Sequence, residues 1–165
     1  MKRSLVPLSV CVVLGACSTY GPGALRAGLS EPELRTALGE PTARRALPAG
    51  AAAVTRLEYA RGPMGKHTFM VDLDASGHVT QWQQVLTDAQ FDRVLPGLSR
   101  DELLLQLGRP AEKRGIWRGG EVWAWRYESP FCLWFQVTLR EGRVFDSGRG
   151  PDPSCEDRER REFPS

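Results

Sequence analysis

The side chains of this 165-residue chain best suited to chemistry near neutral pH are four cysteines and two histidines. Cys17 closes the stretch Leu14-Gly15-Ala16-Cys17, where a thiol stands directly behind small residues. Cys11 lies upstream, inside the apolar run. Cys132 and Cys155 remain as an even pair, and in an oxidising compartment the chemistry expected of them is a disulfide. His67 and His78 occur in or beside strand-like patterns with polar neighbours and are read as solvent-facing. No Cys-x-x-Cys, zinc spacing, phosphate-binding loop or serine elbow is present. Asp72-Leu73-Asp74-Ala75-Ser76-Gly77 opens like a calcium loop, but its twelfth position is Gln83 rather than a bidentate glutamate, so it reads as a turn. The expectation is a chain with no catalytic residues, no metal site and no cofactor.

The segment before Cys17 has the layout of an export signal. Lys2 and Arg3 precede a mostly apolar run from Leu5 to Leu14. Roughly ten residues are too few to cross a bilayer, which takes about 20. With Leu-Gly-Ala-Cys and the following Ser18-Thr19-Tyr20-Gly21-Pro22-Gly23, the pattern resembles a bacterial lipobox, in which the cysteine is acylated and becomes the first mature residue. Residues 1–16 are expected to be removed and 17–23 to form a lipidated linker. Stable anchoring takes more than one acyl chain, which a multiply acylated Cys17 would carry. Resemblance to other lipoproteins, in which an aspartate at the position of Ser18 would mean retention in the inner membrane, implies an outer-membrane, periplasm-facing location. Two of the 22 basic residues leave with the signal, so 20 basic face 20 acidic side chains. No basic excess remains to attract nucleic acid, and no small-molecule substrate is evident.

The elements that must position everything else come from an internal repeat. Gly28-Leu29-Ser30 through Leu38-Gly39-Glu40-Pro41 recurs as Gly97-Leu98-Ser99 through Leu107-Gly108-Arg109-Pro110. Ser30 and Ser99 read as N-caps, with Glu33 and Glu102 completing capping boxes three residues on. Leu34/Leu38 and Leu103/Leu107 share a helical face, and Gly39 and Gly108 fit left-handed C-caps. A further helix is expected from a capping box at Thr87, with Phe91, Val94 and Leu95 as its apolar face; Ala24 and Leu25 are the weaker counterpart. Strands repeat too: Leu57-Glu58-Tyr59 is matched to Trp125-Arg126-Tyr127, Phe69–Leu73 to Phe135–Leu139, and Gly77-His78-Val79 to Gly142-Arg143-Val144. The expected fold is α+β, two tandem helix-helix-antiparallel-sheet repeats over residues 24–86 and 87–147. A tail over 148–165 would be pinned by Cys155 and then fray, being almost all charged from Glu156 to Arg161.

Aromatic residues crowd the second repeat. Trp123 and Trp125 share one strand face, while Trp134 lies opposite Phe135, so both faces of that sheet carry large apolar groups. They are read as internal packing or as a partner-binding face; for the second reading Trp123, Trp125, Trp134 and Arg126 are the candidates. Arg114, Arg118, Arg126 and Arg140 add a basic element suited to an acidic partner or to lipid headgroups.

On Gly28–Pro41, its second copy Gly97–Pro110, and the strand signature running through Gly77-His78-Val79 to Trp82-Gln83-Gln84-Val85-Leu86, the chain resembles the BamE-like (SmpA/OmlA) domain family. The tandem form is also similar to the beta-lactamase inhibitor protein fold. The first resemblance implies an outer-membrane lipoprotein, non-catalytic, whose partner is the machinery that assembles outer-membrane β-barrels. Two copies and a cysteine-bearing tail depart from that family's best-known member. The second resemblance allows a binder or inhibitor of a soluble periplasmic enzyme.

Overall fold

Among the described residues, eight strands and three short α-helices follow in the order α1 (Glu31–Leu38), β1 (Ala43–Ala46), β2 (Thr55–Arg61), β3 (His67–Leu73), β4 (Val79–Gln84), α2 (Asp88–Phe91), α3 (Arg100–Leu107), β5 (Glu112–Ile116), β6 (Gly120–Arg126), β7 (Leu133–Arg140) and β8 (Arg143–Pro151). They come from a computed structural model that describes residue 23 and residues 25–61 and 65–152. The strands form two antiparallel meanders, β1-β2-β3-β4 and β5-β6-β7-β8, which are separate sheets. Among the described residues no helix is long and apolar enough to cross a membrane. Cys11, Cys17, the leader, Ala24, Cys155 and the charged tail lie outside the described residues.

The expected α+β arrangement of helix-helix-sheet repeats is overturned: the fold is β-rich, with one two-turn helix on each sheet. The reason lies in the segments before each helix. Gly28-Leu29 bonds along β4 as an extra piece of edge, through Gly28 N–H to Val79 O at 2.8 Å and Val79 N–H to Leu29 O at 2.8 Å. Gly97-Leu98 repeats this against Val144, at 2.8 and 2.7 Å. Both glycines take positive φ, 83° and 93°, which admits few other residues. The helix expected from Thr87 lasts four residues. Thr87 makes no side-chain cap, Phe91 and Val94 are buried, and Leu95 is exposed ahead of Pro96-Gly97.

The capping pattern of the two-turn helices does form. The Ser30 N–H donates to the Glu33 carboxylate at 2.9 Å and Ser99 N–H to Glu102 at 2.7 Å; in the second copy Glu102 N–H also donates to Ser99 Oγ at 3.2 Å. Gly39 and Gly108 end the helices with positive φ, but their ψ values of −167° and −166° place them outside the left-handed helical region, in a corner open to glycine almost alone. The Ser30 hydroxyl holds the Glu33 carboxyl below its ordinary value, and the Ser99 backbone N–H does the same for Glu102. The Ser76 hydroxyl lowers Asp74. Their charged forms therefore favour the folded state. That contribution is complete above the ordinary carboxyl values of 4.5 and 3.8 and is lost as pH falls through the lower folded ones. The melting temperature should decline below about pH 5. In a Glu33→Gln/Glu102→Gln variant scanned over the same range the decline should be shallower; an unchanged slope would refute the assignment.

Each sheet buries one face under its helix. Leu34 of α1 meets Leu57, Tyr59, Val71, Leu73 and Val79, and Leu25 and Leu29 close the end. Burial pushes the Tyr59 phenol up to about 12. In the second unit Leu103 and Leu107 of α3, with Phe91 of α2, cover Trp123, Trp125, Phe135, Val137 and Leu139. Register shows that the expected strand correspondence is displaced by two residues in β2. Tyr59 pairs with Phe69 and Trp125 with Phe135, so Leu57 and Tyr59 match Trp123 and Trp125, not Trp125 and Tyr127. A two-residue slip keeps every side chain on its face, so the alternation pattern cannot detect it.

The open face of the first sheet docks on the second unit. Met70 enters the second core. Glu58, 1% exposed, accepts the Arg109 N–H at 3.0 Å and the Arg45 guanidinium at 3.1 Å. Arg56 grips Asp72 through two bonds of 2.6 and 2.7 Å and donates to Leu105 O at the end of α3, 2.7 Å away. Gly108 fills the contact: a Cβ there would lie 2.9 Å from Glu58 Cδ and 3.0 Å from Met70 Cε. At Gly39 a Cβ would meet only Arg61 Nη2, at 4.0 Å. Both glycine-to-alanine changes carry the same backbone strain, so Gly108→Ala should cost about 1 kcal/mol more than Gly39→Ala in urea unfolding. Equal losses would contradict the packing of the units described here.

Candidate interaction surface

Three of the four expected partner-binding residues are buried. Trp123 and Trp125, at 3% and 1% exposure, pack under α3. The Trp125 indole N–H donates to Gly108 O at 3.1 Å, and Lys113 Nζ lies 3.9 Å from the Trp123 ring. Trp134 is on the opposite face, as the alternation predicts, but only 3% exposed beneath the Arg126 guanidinium, 4.9 Å from its ring. Arg126, half-buried, also lies 3.4 Å from an Asp152 carboxylate oxygen. As placed, these tryptophans hold the fold and offer a partner no surface. Cys132 is disulfide-bonded; its expected partner, Cys155, lies outside the described residues.

The exposed aromatics are elsewhere. Trp117 is 88% exposed, Phe131 79% and Phe145 53%. Trp117 sits in the tight turn Trp117–Gly119 joining β5 to β6, and Phe145 is the bulged residue of β8, beside the 140–143 turn from β7. Pairing of Ile116 with Gly120, and of Glu121 with Leu139, brings the two turns to one end of the second sheet. Gly120 makes that approach possible, since a Cβ would lie 3.0 Å from Leu139 O. Between the turns lies a concavity of about 570 Å³ lined by Ile116, Trp117, Arg118, Gly119, Arg140 and Glu141. Arg140 stacks on Phe145 at 3.8 Å from the ring centroid. Arg118 is held at φ 66° and ψ 31°, a left-handed conformation that costs a non-glycine residue roughly 1–2 kcal/mol. Of the basic residues singled out in the sequence, Arg118 and Arg140 thus meet at this rim. Arg114 lies on β5 leading to it, and Arg126 is at the far end of β6. Trp117 carried a sequence signal: it stands beside Arg118-Gly119-Gly120, a turn, where an aromatic has no cross-strand neighbour to bury it.

His78 is exposed, as expected, and His67 is partly so. Ser76 Oγ lies 2.9 Å from His78 Nδ1 and donates to Asp74 at 2.7 Å. In a nucleophilic triad the carboxylate would hold the far ring nitrogen and leave the hydroxyl to the imidazole; here it captures the hydroxyl, which makes this a turn-stabilising network. Asp72, the first residue of the calcium-like stretch, is taken up by Arg56 and Gln81. Among the described residues no group of three or more His, Cys, Asp or Glu is placed to hold a metal. A crevice of about 230 Å³ at the junction of the units contains Glu58, Arg109 and Arg126. There the Glu58 carboxylate is already bonded to both units.

No protein-family model matches the chain, and no curated protein matches it. Among solved structures, a protein of Streptococcus mutans described as a candidate beta-lactamase inhibitor protein is similar at 14% identity and a TM-score of 0.32, over 74% of this chain and 83% of the other. A likeness that distant supports neither a fold assignment nor a function. The BamE-like resemblance accordingly stands on the motif residues alone.

Proposed function

We propose that this chain is a lipoprotein anchored at Cys17 in the outer membrane, facing the periplasm, and that it works as a non-catalytic protein-binding module in β-barrel assembly or envelope integrity. The observation that carries the binding role is the rim at the end of the second sheet. Trp117 is almost wholly exposed at a strained turn, next to an arginine stacked on a half-exposed phenylalanine. Tryptophan and arginine are the residues that most often dominate binding energy in protein interfaces. A strained turn kept at such a place fits a functional surface better than a structural one. The anchor and compartment are supported by the Leu14–Cys17 stretch and the basic, apolar leader before it.

The test is affinity capture of the tagged, full-length protein from mildly solubilised membranes, beside a Cys17→Ala form. Stoichiometric recovery of barrel-assembly proteins only with Cys17 present is expected. Recovery of no stoichiometric partner with either form would refute a binding module. One soluble enzyme held equally by both forms would instead favour a binder of a periplasmic enzyme, a reading that a protruding aromatic turn also suits.

A further inference from the structure

We infer that the two turns at the end of the second sheet form a receptor for an acidic loop of a partner protein, the loop entering between Trp117 and the Arg140–Phe145 stack. The inference rests on the protein-binding reading above and adds the face and the chemistry of the ligand. Three observations carry it. The first is shape: the concavity of about 570 Å³ is walled by Trp117 and Arg140 and can seat a protruding side chain with its flanking backbone. The second is charge that the chain leaves unused. Arg118 and Arg140 are exposed, and neither has an ion pair among the described residues, whereas neighbouring Arg100 and Arg143 are engaged by Glu121 and by Gly97 O. A guanidinium is a planar fork that matches a carboxylate through two parallel bonds. The third is rigidity. The backbone that carries Arg118 is set by a turn with positive φ at both Arg118 and Gly119, and the Arg140 side chain is held by its aromatic stack, so less freedom is lost on binding.

The same surface is poorly suited to a bilayer. Glu141 lines the concavity and Asp146 follows Phe145. Carboxylates interleaved with the arginines reduce the diffuse attraction that an anionic membrane needs. They leave intact the short-range pairing that a single acidic loop would use.

The probe is a displayed library of short, disulfide-closed loops, sorted into acidic, neutral and basic sets and selected against the folded protein. Acidic loops carrying one bulky apolar residue should be enriched. Trp117→Ala and Arg140→Glu should each weaken the selected loops by about thirtyfold or more. Both positions are exposed, so unfolding curves should match the parent. Phe131→Ala, at an exposed aromatic outside the two turns, should leave binding unchanged. Enrichment of neutral or basic loops, or of loops indifferent to Trp117→Ala, would overturn this surface while leaving a binding module in place. Trp117-dependent binding to vesicles of phosphatidylglycerol and phosphatidylcholine in equal parts, with no loop selected, would overturn it in favour of lipid. Loss of all partners in the membrane capture above would remove the underlying reading as well.

Discussion

Replacing Trp125 by alanine is expected to lower the unfolding free energy by about 3–5 kcal/mol. The indole is 1% exposed, faces α3 from β6, and is flanked by Trp123 and Phe135 at centroid distances of 6.2 and 6.4 Å. Truncation opens a large cavity and also orphans the Gly108 carbonyl, which accepts the indole N–H at 3.1 Å. Trp125→Phe separates the two effects. It keeps most of the apolar contact and should lose only about 1–3 kcal/mol, the cost of a buried polar group left unpaired together with the smaller ring. Trp117→Ala, in contrast, should stay within about 0.5 kcal/mol of the parent, as surface changes do. Urea unfolding of the three variants decides the matter. A Trp117→Ala loss comparable to that of Trp125→Ala would mean that the exposed tryptophan is structural and would remove the basis for a binding rim.

The second large effect concerns the contact between the units. Asp72→Ala should cost about 3–5 kcal/mol, because it leaves the largely buried Arg56 guanidinium without its bidentate partner. The Asp72 carboxylate is 3% exposed and also accepts the Gln81 amide at 2.8 Å, so no water replaces it cheaply. Arg56→Met alone should be costly for the converse reason, an unpaired buried carboxylate. The double variant Arg56→Met/Asp72→Leu should recover most of the loss, since apolar groups of similar volume replace a desolvated ion pair with little penalty. A double-mutant cycle measured by thermal and urea unfolding gives the coupling. Additive losses would show that the pair does not act as a unit.

The local chemistry of this fold was legible in the sequence where one residue type answers one backbone need. Ser30/Glu33 and Ser99/Glu102 announced both helix starts, and Gly39, Gly108, Gly77 and Gly142 announced turns and ends. The placement of Trp134 opposite Phe135 followed from alternation. Three things were hidden. The helix expected through Leu95 was overestimated because Gly97-Leu98 has a competing use as edge pairing to Val144, which depends on a residue about 50 positions away. The correspondence of β2 with β6 between the repeats was displaced by two because a period of two is blind to that slip. The candidate surface was misplaced because aromatic crowding on strands signals burial as readily as exposure. Trp123 and Trp125 found α3, while Trp117, in a turn, found nothing. The polar face of the first sheet was unreadable for a related reason: Arg56, Glu58 and Asp72 look like a solvated face until the second unit covers it.

The measurement that tests the binding account most directly is photo-cross-linking in intact cells, with a photoreactive residue placed at Trp117 or, separately, at Thr36 on the exposed side of α1. The full-length, anchored chain is used in both cases. The account predicts one discrete protein adduct from position 117, unchanged by expression level and absent from position 36. Adducts from position 36 with none from 117, or only lipid adducts at 117, would contradict it.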